Sequence, residues 1–148
     1  MAELYEVVLV DRGTRWHTGV LADEVTETDQ LLAEKGEVLL FGSRAALEHH
    51  VQEHRLKLHD DPPDEIDLDL GGWLPHGVPE PSTAEVSELW HLLYDDPLAG
   101  RALAGEDLGE AYDDLVEEVG GWFEAHGEAA RAALTEAVER LRGRFRRV

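Results

Sequence analysis

The chain has 148 residues, with 33 acidic against 13 basic side chains and a formal net charge of −20. This length fits one folded domain with its own hydrophobic core, and the negative charge excludes binding to nucleic acid, whose phosphates require a basic surface. The chain has no cysteine, which excludes disulfides and thiolate chemistry, and it shows neither a basic leader nor a long apolar run. We therefore expect a cytoplasmic protein without membrane contact.

The N-terminal residues predict a β-hairpin. Residues 4–10 are apolar and β-branched, residues 11–13 provide turn chemistry, and residues 14–21 alternate between apolar and polar side chains. Such a pattern is typical of two antiparallel strands. In the second strand we expect Trp16 to face the core and Gly19 to be exposed.

The next segment predicts a short helix and then a buried strand. Residues 29–35 fit a helix, and Gly36 stands where a helix end often needs a left-handed residue. Residues 38–41 are wholly apolar and indicate a central strand. Ser43 then fits the N-cap of a second helix, predicted over residues 44–56.

This second helix carries a histidine pair with the spacing of metal ligands. His50 and His54 are four residues apart, so their imidazoles project from one helix face, close enough to share a metal ion. Over five residues, His50-x-x-Glu53-His54 resembles the H-x-x-E-H signature of the inverzincin zinc peptidases. The resemblance implies that His50 and His54 bind zinc and that Glu53 is the general base. Our prediction is nevertheless that His49, His50, His54 and His59 are ordinary polar or half-buried positions, without a cofactor or a catalytic residue, because a zinc site needs a third ligand and ordered groups that support the ligands. The zinc site is the alternative.

The middle of the chain marks the passage into a helical half. Two prolines break the chain within residues 60–64, and residues 65–70 alternate apolar and acidic side chains, as an edge strand does. We expect Trp73 and Leu74 to anchor the following loop in the core. Residues 82–85 form a capping box at the start of a helix that reaches residue 94.

The C-terminal residues predict a pair of helices. Apolar side chains keep a helical period over residues 106–123, with Val116 and Val119 on the buried face, and again over residues 130–145. We expect an antiparallel helical hairpin that turns near residues 125–127. The predicted fold is therefore a single α+β domain over residues 1–148. A small antiparallel or mixed sheet of three to four strands occupies about residues 1–74, and a helical part occupies about residues 82–148.

An acidic stripe lies opposite the apolar face of the first of these helices. Its members recur at helical spacing without a basic residue among them: Glu110, Asp113, Asp114, Glu117 and Glu118. One interpretation is that the arginines of residues 140–147 lie alongside residues 106–114 and balance this charge within the fold. The other is that the stripe captures a basic surface of a partner protein.

The sequence favours a binding protein over an enzyme. It lacks the Gly-rich phosphate loop and the G-x-S-x-G elbow of common enzyme classes, although this leaves an enzyme open. We expect a non-enzymatic interaction protein, similar to an inhibitor or an immunity protein, that uses the acidic stripe and needs no cofactor. The alternative is a small zinc-dependent hydrolase centred on His50, Glu53 and His54. A homo-oligomer is compatible with either.

Overall fold

A computed structural model of the chain describes residues 3–23 and 28–148. Within these ranges the chain forms eight strands and five α-helices, and four of the helices lie in the C-terminal half. The predicted α+β class is confirmed. No helix in the described ranges is long and apolar enough to cross a membrane.

The chain divides into two compact units. The first contains the described residues up to Leu68 together with Arg144–Val148, and the second contains Asp69–Gly143. All strands belong to the first unit, and the second is helical. The last five residues thus join the strands, whereas the sequence placed them in the helical part. The assignment of the whole chain to one domain stays a prediction.

The larger sheet is built on a hairpin of two long strands, β1 (Glu3–Asp11) and β2 (Thr14–Asp23). They pair antiparallel up to Asp11 opposite Thr14, as predicted. The connection has two residues with positive φ, 52° at Arg12 and 81° at Gly13. Two consecutive residues with positive φ form a two-residue hairpin turn, and the twist of such a turn matches the right-handed twist of the paired strands. On the other side of β2 lies β3 (Thr28–Leu31).

Two expectations about β2 require correction. Trp16 is only half-buried, and the Arg147 guanidinium lies 5.1 Å from its ring centroid. Gly19 is buried, and a Cβ at this position would lie only 2.1 Å from Leu4 Cδ2. Gly19 therefore admits the core side chain of Leu4 and does not face solvent. Thr18 is also fully buried, and its hydroxyl donates a hydrogen bond to the Leu39 carbonyl.

The second sheet has three short strands, in the order β4 (Ala33–Glu34), β5 (Glu37–Leu40) and β8 (Phe145–Arg147). The central strand predicted near residues 38–41 is therefore present as β5. The helix predicted over residues 29–35 is wrong, because these residues contribute to β3 and β4. Lys35 and Gly36 have φ values of 54° and 80° and form another two-residue hairpin turn.

Helix α1 (Arg44–Glu53) follows β5 and starts at the predicted cap. The Ser43 hydroxyl accepts a hydrogen bond from the Ala46 amide at 3.2 Å. The helix is shorter than predicted, since His54 is its C-cap and Arg55 has a positive φ of 54°. Leu47 and Val51 are its buried residues, so α1 covers the sheet through a narrow apolar stripe.

Two further strands complete the larger sheet. β6 (Lys57–Leu58) and β7 (Asp64–Asp67) both pair in parallel with β1, on the side opposite β2. Among the described strands β7 pairs with β1 alone, so it is an edge strand, and its acidic side chains discourage pairing with another chain.

The helical unit contains α2 (Trp73–His76), α3 (Thr83–Tyr94), α4 (Glu106–Val116) and α5 (Trp122–Arg142). Trp73 and Leu74 are buried, as predicted, although they lie in α2 and not in a loop. The predicted capping box of α3 is present in both directions. The Glu85 amide donates to Ser82 Oγ, and the Ser82 amide donates to Glu85 Oε1, each at 3.1 Å.

The turn between α4 and α5 lies earlier than predicted. It spans residues 117–121, where Glu118 and Gly121 have φ values of 56° and 76°, and not residues 125–127. Gly127 is buried inside α5, and a Cβ there would contact Phe123 at 3.5 Å. This glycine therefore serves close packing. α4 and α5 contact each other, and Trp122 Nε1 donates to the Ala111 carbonyl at 2.7 Å.

Candidate functional site

The acidic stripe predicted from the sequence lies on α4 and the turn after it. Glu110, Asp113, Glu117 and Glu118 are exposed. Asp114 differs from them, because its Oδ2 lies 2.8 Å from Nε2 of His126 on α5. Four carboxylates of the stripe therefore face solvent, and the fifth joins two helices.

Arginines of the C-terminal segment do not balance this stripe. In the described part of the chain, no ion pair involves Glu110, Asp113, Glu117 or Glu118. The contacts of the arginines are instead Arg140 with Glu136 at 2.8 Å, Arg142 with Asp69 at 2.8 Å and Glu139 at 2.5 Å, Arg144 with the Gly36 carbonyl at 2.9 Å, and Arg146 with Glu37 at 3.9 Å. For Arg140 and Arg142, which lie in the same unit as the stripe, the predicted charge balance alongside residues 106–114 is therefore wrong, because both pair with other carboxylates. The chain after Gly143 forms β8 instead of continuing the helix, and β8 belongs to the other unit.

A cavity of about 420 Å³ lies beside the stripe, within the helical unit. Asp113 belongs to both the stripe and the wall of this cavity. The residues that line it come from α3, α4 and the segments after α3: Trp90, His91, Tyr94, Asp95, Leu103, Leu108, Gly109, Tyr112 and Asp113. Three aromatic rings and two carboxylates therefore surround one opening.

Tyr112 lies at the centre of the aromatic lining. Its ring centroid is 5.8 Å from that of Trp90, and its hydroxyl contacts Nε2 of His91. Burial raises the pKa of Tyr112 above its ordinary value, and the negative charges of Asp113 and Asp95 raise this pKa further. The phenol therefore stays neutral at physiological pH, in a negative local potential that favours a cation.

Exposed apolar side chains lie in and beside the cavity. Tyr94 in its wall is 59% exposed, and Val116 and Val119, which are not part of the lining, are 55% and 44% exposed. The sequence had placed both valines on a buried face. Val116 is the last residue of α4, whose buried residues are Ala111 and Leu115. Val119 lies after the end of this helix, so the helical period that was read through residue 123 does not reach it. The surface around α4 is thus acidic, aromatic and partly apolar.

The histidines of the H-x-x-E-H pattern lie in the other unit, at the end of α1. Their ring centroids are 4.0 Å apart and the rings are nearly parallel, with an interplanar angle of 23°. The side chain of Glu34 joins them, since one ligand atom each of Glu34, His50 and His54 lies within 4.8 Å of the others. Glu34 and His50 are half-buried, whereas His54 is exposed.

Glu53 points elsewhere in this arrangement. Its Oε1 lies 3.0 Å from Nε2 of His49, and both side chains are largely exposed. The structure thus brings together two of the three residues that the motif predicts, and it supplies the carboxylate from Glu34.

The buried carboxylate of Glu6 forms another polar cluster that the sequence did not indicate. Glu6 Oε1 accepts from Arg44 Nη1 at 2.6 Å, and Glu6 Oε2 lies 2.8 Å from His17 Nδ1. The Glu6 side chain is 1% exposed. The Glu6 carboxylate accepts from both Arg44 and His17 and so links the start of α1 to the β1–β2 hairpin, and we interpret the cluster as structural.

No family model matches the sequence, and no curated protein matches it. A solved structure entitled "The crystal structure of SatS c-terminal domain in complex with bromine" has a similar fold, with a TM-score of 0.63. The sequences are 16% identical, and the similarity covers 98% of this chain and 94% of that one. Such a distant similarity shows the fold alone.

Both candidate sites contain residues that sequence reasoning missed. The cavity unites Trp90 and Tyr94 of α3 with Tyr112 of α4, and aromatic residues at helical spacing ordinarily indicate a core. Glu34 lies 16 positions before His50, on a hairpin that the sequence analysis had replaced by a helix. The Lys35–Gly36 pair was the available signal, because a residue followed by glycine between short β-prone runs favours a tight hairpin.

Proposed function

We propose that the protein is a non-enzymatic interaction module of the cytosol, which captures a basic segment of a partner protein on α4 and in the adjoining cavity. The observation that carries this proposal is the position of Asp113. Its carboxylate belongs to the exposed part of the stripe, which makes no ion pair within the described residues, and it also lines an aromatic cavity. The exposed carboxylates and the cavity therefore belong to one continuous surface.

The charge distribution supports a basic partner. Carboxylates of like charge at positions i and i+4, such as Asp113 and Glu117, each destabilise a helix by about 0.2–0.5 kcal/mol. Because no cation in the described chain offsets the exposed members, this cost brings no benefit to the fold. A basic partner would gain a faster encounter and a fixed orientation from the same charges.

The cavity supports arginine as the side chain that anchors the partner. A guanidinium is planar, stacks on aromatic faces and forms paired hydrogen bonds with carboxylates. The rings of Tyr94 and Tyr112 offer such faces above the buried Trp90, and Asp95 and Asp113 lie at the same opening. The volume of about 420 Å³ also falls within the range of pockets that enclose a side chain or a small ligand.

An NMR titration with short peptides tests this proposal. The probe is a blocked tetra-arginine peptide, and its control is the same peptide with citrulline at every position, which keeps the shape and removes the charge. We expect the arginine peptide to shift the amide signals of Gly109, Tyr112 and Asp113 and to bind at least about tenfold more tightly than the control, a difference of about 1.4 kcal/mol. Equal affinities, or shifts that avoid α4, would contradict the proposal.

A matched pair of variants separates the stripe from overall charge. Asp113→Lys with Glu117→Lys reverses two carboxylates of the stripe. Glu80→Lys with Glu128→Lys makes the same change in net charge at exposed positions outside the cavity lining. We expect only the first pair to abolish peptide binding, because the proposal depends on position and not on the net charge of −20.

A metal-dependent hydrolase is the second candidate function, and the proximity of Glu34, His50 and His54 favours it. Hydrolysis would need a general base beside a metal-bound water, the role that the motif gives to Glu53. The test is zinc-dependent cleavage of a general peptide substrate library, with Glu53→Gln as the inactive variant. If Glu53→Gln cleaves as fast as the natural chain, Glu53 is not the base and the motif does not describe a peptidase.

A further inference from the structure

We infer that Glu34, His50 and His54 form a zinc-binding site at the end of α1, with Glu34 as a ligand outside the sequence motif. The inference concerns binding of the ion alone. It depends neither on the acidic stripe nor on any hydrolytic activity, and it would hold if both proposed functions failed.

The geometry of the three side chains carries the inference. Their ligand atoms lie within 4.8 Å of one another, and zinc bonds of about 2.0–2.2 Å in a tetrahedral site place ligand atoms roughly 3.3 Å apart. The side chains therefore need to close by at most about 1.5 Å. A change in the Glu34 side chain and a small shift of the exposed His54 ring, which keeps its hydrogen bond to the His50 carbonyl, would supply this.

The local hydrogen bonding supports His54 as a ligand. His54 Nδ1 lies 2.9 Å from the His50 carbonyl and donates its hydrogen to that oxygen. This bond fixes the tautomer in which Nε2 carries the lone pair. Histidines that bind metals usually donate their other ring hydrogen to a carbonyl or carboxylate in the same way, which orients the ring.

The surroundings of His50 hold its ring in place. The ring packs against the buried ring of Phe41, with 5.2 Å between the centroids. The centroid of the His50 ring also lies 4.0 Å from that of its other neighbour, His54. His50 is therefore positioned beside His54 and Glu34 by packing.

The donor set selects the ion. Two imidazoles and one carboxylate suit zinc, whereas calcium and magnesium prefer oxygen ligands. Three protein ligands leave a fourth position for water, and the exposure of His54 gives the ion access from solvent. The bound ion would clamp the β4–β5 hairpin to the end of α1.

Calorimetric titration of the full chain with zinc chloride, after removal of metals by a chelator, tests the inference. We expect one zinc ion per chain and a rise in the thermal midpoint on loading. His54→Ala and Glu34→Gln should each weaken binding more than about 100-fold, because loss of a ligand exceeds the 10–100-fold cost of losing a group that supports one. His54 is exposed, so its replacement leaves the fold intact.

His49→Ala is the matched control. His49 lies on the same helix and is exposed, but it contacts Glu53 and is outside the cluster. We expect His49→Ala to bind zinc like the natural chain. Zinc binding that survives both His54→Ala and Glu34→Gln would overturn the assignment, and so would equal losses in His49→Ala and His54→Ala or a failure of the natural chain to bind zinc.

Discussion

The two units of this chain treat their carboxylates in opposite ways. In the sheet unit, Glu6 is buried and its two oxygens contact Arg44 and His17. In the helical unit, Glu110, Asp113 and Glu117 stand in solvent on α4, and no ion pair in the described residues involves them. Burial of a charge is tolerated only when partners satisfy it, whereas exposed charges can remain unpaired. The first arrangement therefore serves the fold, and the second is the one that we propose to attract another molecule.

The largest expected effect on stability comes from removing the buried carboxylate of Glu6. Glu6→Ala leaves Arg44 and His17 without the carboxylate that joins them. Loss of one partner of a buried ion pair costs about 3–5 kcal/mol, and we expect roughly 2–4 kcal/mol here because Arg44 is 37% exposed. Urea unfolding followed by circular dichroism measures the change. A loss below about 1 kcal/mol would show that the cluster contributes little to the fold.

A comparison of two neighbouring acids sharpens the distinction within α4 itself. Asp114 contacts His126 on α5 at 2.8 Å, whereas Asp113 makes no such contact. We expect Asp114→Ala to lower the free energy of unfolding by about 1 kcal/mol and Asp113→Ala to change it by less than about 0.5 kcal/mol. The same urea experiment compares the two variants. Equal losses would mean that Asp113 also has a role in the fold.

A charge reversal in the stripe should stabilise the protein. Glu117 is the C-cap of α4, where the helix dipole favours a cation, and it lies four residues after Asp113. Glu117→Lys replaces a repulsive i,i+4 pair by an attractive one, so we expect a gain of about 0.5–1 kcal/mol in the free energy of unfolding. Thermal unfolding at low salt measures this gain. A loss of stability would indicate that Glu117 supports the helix.

The smallest effect concerns alkaline pH. The folded-state pKa of Tyr112 is raised above the ordinary value of 10.0, first by burial and then by Asp113 and Asp95. Well below pH 10.0 the phenol is neutral in both the folded and the unfolded chain. As the pH rises through 10.0 towards the higher folded-state pKa, the phenol of the unfolded chain ionises first, and the folded state loses stability. Tyr112→Phe should therefore lose less stability than the natural chain between about pH 9 and 11 in urea titrations. Parallel losses would contradict the assigned direction.

Local sequence signals predicted the elements that local chemistry determines. The β1–β2 hairpin, the Ser43 cap of α1 and the capping box at Ser82 each depend on residues a few positions apart, and all three are present. The helix predicted over residues 29–35 failed because Gly36 has a positive φ in a hairpin turn as readily as at a helix end.

Long-range pairing was beyond reach of the same reasoning. β8 pairs in parallel with β5, which is more than 100 positions earlier, and Phe145 follows Leu141 at helical spacing, so the sequence favoured a longer helix. The same distinction between local and long-range contacts decides which residues of the candidate sites the sequence indicated. The sequence indicated His50 and His54 because one helix turn joins them, but Glu34 and the aromatic cavity depend on contacts between separate elements.

Isothermal calorimetry of the tetra-arginine peptide with two charge-reversed proteins tests the central claim most directly. One protein carries Asp113→Lys and Glu117→Lys, and the other carries Glu80→Lys and Glu128→Lys. The proposal predicts that the first loses binding while remaining at least as stable as the natural chain, and that the second keeps its affinity within about threefold. If both lose affinity equally, net charge alone attracts the peptide and α4 is not a recognition surface.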